Sequence, residues 1–367
     1  MTARIVSIGT AVPSTVVGQD HVRDFFAAQP GLDRLAQRLI HAAFDAAAID
    51  TRHTVLTQLA DGHSADAGLD VVGPSGELLA PTTGERNAFY ERAAPPLYAD
   101  AARAALDDAG IAASAVTHVV TVSCTGFFAP GPDFRLVKDL GLSTRVERFH
   151  LGFMGCSAAL PALRLAASLT AAQPDAVVLV VCAELCTLHI RSSPDPEQIV
   201  ASSVFADGAA AAIVTAAPGT GRRGGLDLDR FATALTDDGE SDMVWTIGDH
   251  GFEMTLTAEV PRIIGREIRE AVGGFVGDDA PAAWAVHPGG RSVLDRVEGG
   301  LELGSEALTA SRQVLRDYGN MSSATVLFIL RALLGDDELA DGARIAALAF
   351  GPGLTVESVL LTKRAPA

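Results

Sequence analysis

Two stretches of this chain run through the same order of elements, and that repetition limits what the whole can fold into. From Leu97, LYADAARAALDDAG has helical periodicity and ends at Gly110. THVVTVSCTG then reads as a strand and DFRLVKDLGL as a second helix. The segment around Cys156 leads into an apolar helix, and AVVLVVCAE follows as a buried strand. From Val260 the order returns: helix (VPRIIGREIREAVGG), strand into loop (AAWAVHPGG), helix (SVLDRVEGGL), loop into apolar helix (RDYGNMSSATVLFILRALL) and strand (RIAALAFGPG). Strands alternating with helices predict α/β layers, built here from two related halves, 1–217 and 218–367. The spacing agrees, with 32 residues from Cys124 to Cys156 and 33 from His287 to Asn320. In that register Cys156 and Asn320 take equivalent places, each opening a buried helix. A pseudo-twofold then brings the strand ends of both halves to one centre.

The 367 residues, 48% of them hydrophobic, are ample for two such halves. A net charge of −17 argues against nucleic acid as a partner. An anionic ligand would need a local basic patch. The N-terminal MTARIVSIGTAVPS holds a short strand-like run, and no stretch reads as a signal peptide or membrane span, so a cytoplasmic protein is expected. The four cysteines, Cys124, Cys156, Cys182 and Cys186, would then be reduced. Cys182, Cys186 and His189 have a loosely metal-like spacing. However, AVVLVVCAELC reads as a buried strand carrying small side chains, and no metal is expected.

Cys156 is a candidate nucleophile. It precedes a helix with no charge until Arg164, and a helix N-terminus, with its unpaired N–H groups and positive dipole end, favours thiolate. His287, in AVHPGG, sits where Pro288 and two glycines end a strand, the place where α/β sheets build sites. Asn320, in YGNMSSA, is by residue type either a helix N-cap or an amide donor for an oxyanion. Cysteine with distant histidine and asparagine also describes papain-like proteases, but the C-G-S-C-W surroundings are absent and the duplicated pattern fits that fold badly.

Taken together, GFMGCSAAL, HPGG, YGNMSSA and FGPGLTVE resemble the type III polyketide synthases, the chalcone synthase relatives, from Val6 to the C-terminal GPGLTVESVLL. The resemblance implies the thiolase fold, a layered αβαβα core, and a homodimer. It implies that Cys156 carries the acyl group, that His287 and Asn320 bind the thioester carbonyl, and that Phe205 is a gatekeeper. Substrates would be an acyl-CoA starter, medium- or long-chain, and malonyl-CoA, with no cofactor. Cys124, Thr125, Ala129 and Cys186 resemble the bacterial alkylpyrone and alkylresorcinol synthases, where small residues open a tunnel for a fatty chain. His189, Trp245, Met254 and Ser322 complete the implied pocket. Met254 replaces a gatekeeper phenylalanine of the plant enzymes and Trp245 a cavity glycine, which implies a reshaped or blocked plant-type cavity. The basic residues that bind CoA in the plant enzymes fall near Leu39, Ala42 and Ala46. Arg34, Arg38 and Arg52 are the nearby substitutes, with Gly289, Gly290 and Ser292 beside them. Ketoacyl-ACP synthase III shares the Cys, His and Asn set but stops after one condensation. A non-catalytic acyl-binding protein is the alternative without chemistry.

Overall fold

Along the strands Val177–Leu185 and Arg344–Gly351 both faces are apolar, and the side chains divide by the strand period of two. Val178, Val180 and Cys182 share one apolar layer with Ile345, Ala347 and Ala349. Leu179, Val181, Ala183 and Leu185 enter a second layer, and Ala346, Leu348 and Phe350 a third. The shared layer also takes the helices Ala159–Ala172 and Thr325–Leu334. The outer layers are closed by helix Thr83–Ala109 on one side and helices Glu259–Val276 and Arg291–Gly300 on the other. The result is five layers, helix, sheet, helix, sheet, helix. The structure, a computed structural model, describes residues 2–61, 68–217, 224–277 and 280–366.

The two sheets mirror one another outward from a seam. On one side run Arg4–Ala11, Asp207–Thr215, Val177–Leu185 and His118–Ser123. On the other run Gly225–Leu235, Thr355–Arg364, Arg344–Gly351 and Ala283–Val286. Each series pairs antiparallel, antiparallel, then parallel. Only Glu147–Gly152, parallel to His118–Ser123, has no counterpart. The seam is short, Arg4 opposite Asp227 and Ile5 opposite Leu226, and Asp227 is held there by Arg4 at 2.5 Å and Arg364 at 2.6 Å. The halves part between Thr215 and Gly225. The expected boundary at 217/218 adjoins residues 218–223, which lie outside the described ones.

The duplication is as expected, but its register is not. The 3₁₀ turns Gly155–Ser157 and Ser322–Ala324 precede the two central helices, and each opens on a left-handed residue, Gly155 at φ 64° and Ser322 at φ 47°. Cys156 stands 21 residues ahead of the strand beginning at Val177, and Ser323 stands 21 ahead of that beginning at Arg344. The structural partner of Cys156 is therefore Ser323. Asn320 lies three residues earlier, because the connection after His287 is longer than the one after Cys124. Among the described residues no helix is long and apolar enough to cross a membrane.

Candidate active site

The turn that carries Cys156 is clamped from the second half. A Cβ on Gly155 would overlap Pro352, and one on Gly351 would overlap the Ser157 side chain. The FGPG segment thus fixes the Cys156 turn by close backbone approach. Cys156, His287 and Asn320 line one cavity of about 560 Å³. His287 follows strand Ala283–Val286 directly, and its backbone N–H donates to Leu348 O at 2.8 Å. Asn320 follows Gly319, left-handed at φ 71°. The Asn320 N–H donates to Val204 O at 2.8 Å, and its carbonyl accepts from the Ala206 N–H at 2.9 Å. Those two bonds flank Phe205 and tie a second-half residue to the first half.

Side-chain bonding sets the donors. Asn320 Oδ1 accepts from the Ser322 N–H at 2.8 Å, which turns Nδ2 the other way. Nδ2 reaches Gly289 O, at 3.4 Å, with one of its two hydrogens, and the other is left for the Cys156 side of the cavity. Neither ring nitrogen of His287 has a partner among the described residues, although the residue is 1% exposed. Burial pushes its pKa down to about 3, so at neutral pH it is an uncharged imidazole with one N–H to donate. Burial pushes the Cys156 thiol up to about 11. Hydrogen bonds from Ser322 and Asn320 oppose that shift, while the charge of Glu184 adds to it. The helix N-terminus favours the thiolate, as expected from the sequence, while burial works against it.

Glu184 was not singled out in the sequence, being one acidic residue at the end of an apolar strand. It is fully buried, and burial raises its pKa against a shell of donors. It accepts from Ser123 Oγ at 3.1 Å, the Cys124 N–H at 3.0 Å, Thr125 Oγ1 at 2.8 Å and Ser323 Oγ at 2.6 Å, with Cys124 Sγ at 3.5 Å. Cys124 follows its strand as His287 follows its own. Cys124 and Ser323 are thus the pseudo-twofold mates of His287 and Cys156, and Glu184 joins them.

Behind Cys156 lies a second cavity of only about 20 Å³. Cys124, Thr125, Cys186, Trp245 and Ser322 line it, while Phe205, Met243 and Met254 line both cavities and separate them. Trp245 and Met254 sit directly opposite on the hairpin Met243–Gly248 and Gly251–Leu256. That space holds about one water.

Four expectations place residues elsewhere. Ala129 is exposed and lines neither cavity, since its loop lies at the surface of the chain. His189 also lines neither: its Nε2–H donates to Thr125 O at 2.9 Å, Nδ1 accepts from the Phe252 N–H at 3.0 Å, and its ring stacks on Phe252 at 4.2 Å. It supports the wall rather than touching the space. Arg52 is buried, donates to Ser202 O at 2.8 Å and Phe205 O at 2.9 Å, and so braces the Phe205 backbone. Arg34 and Arg38 are exposed on helix Arg34–Ala46, which reaches the large cavity only through Ala43 and Ala46. Gly289, Gly290 and Ser292 do line that cavity, as do Arg262, Arg291 and Arg296, which sequence reasoning missed.

The sequence matches the family described as chalcone and stilbene synthases, its N-terminal domain over residues 1–218 and its C-terminal domain over 230–364. A curated relative, "Probable polyketide synthase 1" of Dictyostelium discoideum, is 31% identical over 371 residues, which cover 97% of this chain and 11% of that protein. The chain thus spans about a tenth of that relative's length. The crystal structure of PKS-I from the brown alga Ectocarpus siliculosus is similar at TM-score 0.90 and 29% identity, covering 99% of this chain and 98% of that one. The C-terminal type III polyketide synthase domain of Steely1, a type I/III hybrid from Dictyostelium, gives 0.89 and 30%, covering 99% of each chain. Such neighbours have the thiolase fold, which is the five-layered, pseudo-twofold arrangement described above.

Proposed function

The chain belongs to the chalcone and stilbene synthase family, the type III polyketide synthases, and on that premise we propose that it condenses malonyl-CoA with an acyl starter held on Cys156. The observation that carries the reading is the uncharged, unpartnered His287 in one cavity with Asn320 Nδ2 and the Cys156 thiol. Cys156 sulfur attacks the starter's thioester carbonyl. His287, with a free ring nitrogen, takes the thiol proton and returns it to the departing CoA thiolate. Malonyl-CoA then places its thioester oxygen against the His287 and Asn320 donors. The carbon–carbon bond to the carboxylate breaks, CO2 leaves, and the electron pair becomes an enolate held by both N–H groups. The enolate carbon attacks the Cys156 thioester and expels the sulfur. Further rounds and ring closure complete the product. The scheme needs no metal or redox cofactor, and a homodimer is the proposed assembly.

The medium- or long-chain starter implied by the small pocket residues is not the one this geometry favours. The space of about 20 Å³ behind Cys156, with Trp245 where it stands, leaves little room there for an alkyl chain. Short acyl starters are the proposed substrates, and longer ones require Trp245 to move. Pyrone formation by lactonisation and resorcinol formation by aldol closure use the same three groups. The test incubates purified protein with malonyl-CoA and acyl-CoAs of increasing length, following CO2 release and product mass. Products of two or more condensations from short starters, lost in Cys156→Ala, support the reading. A single condensation per product would move the chain to ketoacyl-ACP synthase III chemistry, and no CO2 release at all would leave an acyl-binding protein.

A further inference from the structure

The large cavity runs from three buried side chains, Cys156, His287 and Asn320, to exposed arginines at its outer end. Arg262 is paired to Glu259 at 2.5 Å. Arg291 lies 3.5 Å from Asp295, but Asp295 is held more closely by Arg312, at 2.8 Å. Arg296 has no ion pair or hydrogen bond among the described residues. Its stem crosses Gly265 of helix Glu259–Val276, where an added Cβ would come within 3.1 Å of Arg296 Cδ. The helix Arg291–Gly300 opens on the same cavity through Gly290, with no side-chain cap; the Val293 N–H donates to Gly290 O at 3.1 Å, which leaves the Arg291 and Ser292 N–H groups without a partner among the described residues. On the other wall helix Arg34–Ala46 offers only alanine; Arg38 lies five residues, about 7.5 Å along the axis, before Ala43, the nearest lining residue, and Arg34 about 13.5 Å before it. In a chain of net charge −17 these arginines are a local exception.

Resting on the type III polyketide synthase reading, we propose that the phosphates of the CoA thioester are held by Arg291 and Arg296, with Arg262 beside them, and not from helix Arg34–Ala46. The acyl thioester then points inward to Cys156, and the uncapped helix start faces the anion. Gly265 is part of the arrangement, since it lets the Arg296 stem lie flat across the neighbouring helix. The test compares malonyl-CoA with malonyl-N-acetylcysteamine, which has the same reacting end and no phosphates. In R291A/R296A the KM for malonyl-CoA decarboxylation rises about tenfold or more, with kcat kept and its salt dependence flattened. Kinetics on the phosphate-free thioester stay at the wild-type values. R34A/R38A behaves as wild type on both. Equal losses on the two thioesters, an unchanged double variant, or a loss in R34A/R38A each overturn the assignment. Calorimetry with CoA and pantetheine reads the same site without turnover: the double variant should lose affinity for CoA only. Should wild-type protein bind CoA yet decarboxylate neither thioester, the catalytic reading fails while the phosphate site stands.

Discussion

Trp245 donates its indole N–H to the backbone carbonyl of Cys124 at 2.7 Å, and that bond closes the space behind Cys156. Trp245→Ala removes both the bond and the ring. The expected outcome is a shift of kcat/KM toward longer acyl-CoA starters, with malonyl-CoA decarboxylation kept. The stability cost falls at or below the ~3–5 kcal/mol of a buried aromatic, because the ring is half-buried. An unchanged chain-length preference would place the starter's path elsewhere.

Asn320 is oriented by the Ser322 N–H, so its amide loses a donor without losing its place when replaced by aspartate. Asn320→Asp and Asn320→Ala are both expected to slow malonyl-CoA decarboxylation by about 10²–10³. Near-normal CO2 release from either variant would return Asn320 to a role in the chain turn alone.

Gly155 is expected to accept no side chain. Alanine there bears about 1–2 kcal/mol for the left-handed conformation and also overlaps Pro352. Gly155→Ala should lower the melting temperature and abolish labelling of Cys156 by an acyl-CoA. Adding Pro352→Ala relieves the overlap but not the backbone term, so labelling recovers only in part. Full labelling of the single variant would show that the turn is not clamped.

Acid should weaken the fold through His287 and His189, each pushed by burial to about 3. Below the unfolded value of about 6.5 the unfolded chain takes up a proton that the native site refuses, so stability falls as pH falls, until about pH 3. Asp207, pushed up to about 6, has the opposite sign and offsets part of the loss between pH 6 and 4. Urea unfolding at pH 7 and pH 5 should show the gap shrinking by about 2 kcal/mol in His287→Phe. An unchanged gap would mean that native His287 takes up its proton over the same pH range as in the unfolded chain.

The strands and central helices were legible because their apolar patterns are long and both-faced, as in AVVLVVCAE and TVLFILRALL. Cys156 and His287 were legible because glycine and proline mark the breaks around them. Glu184 was not, because one carboxylate in an apolar strand gives no sign of the four donors that converge on it from distant segments. Arg52 was misplaced for the same reason: its partners are backbone carbonyls some 150 residues away. The arginines at the cavity lie on helices that look simply amphipathic, and only packing turns them toward one opening.

The duplicated scaffold offers two equivalent positions for a reaction, yet Ser323 and Cys124 at the second are spent on Glu184. A hydroxyl and a thiol bound to a buried carboxylate are not free to receive an acyl group. On the proposed reaction, loading would be counted per chain and not per half: one thioester, and one growing product, for each 38.0 kDa polypeptide.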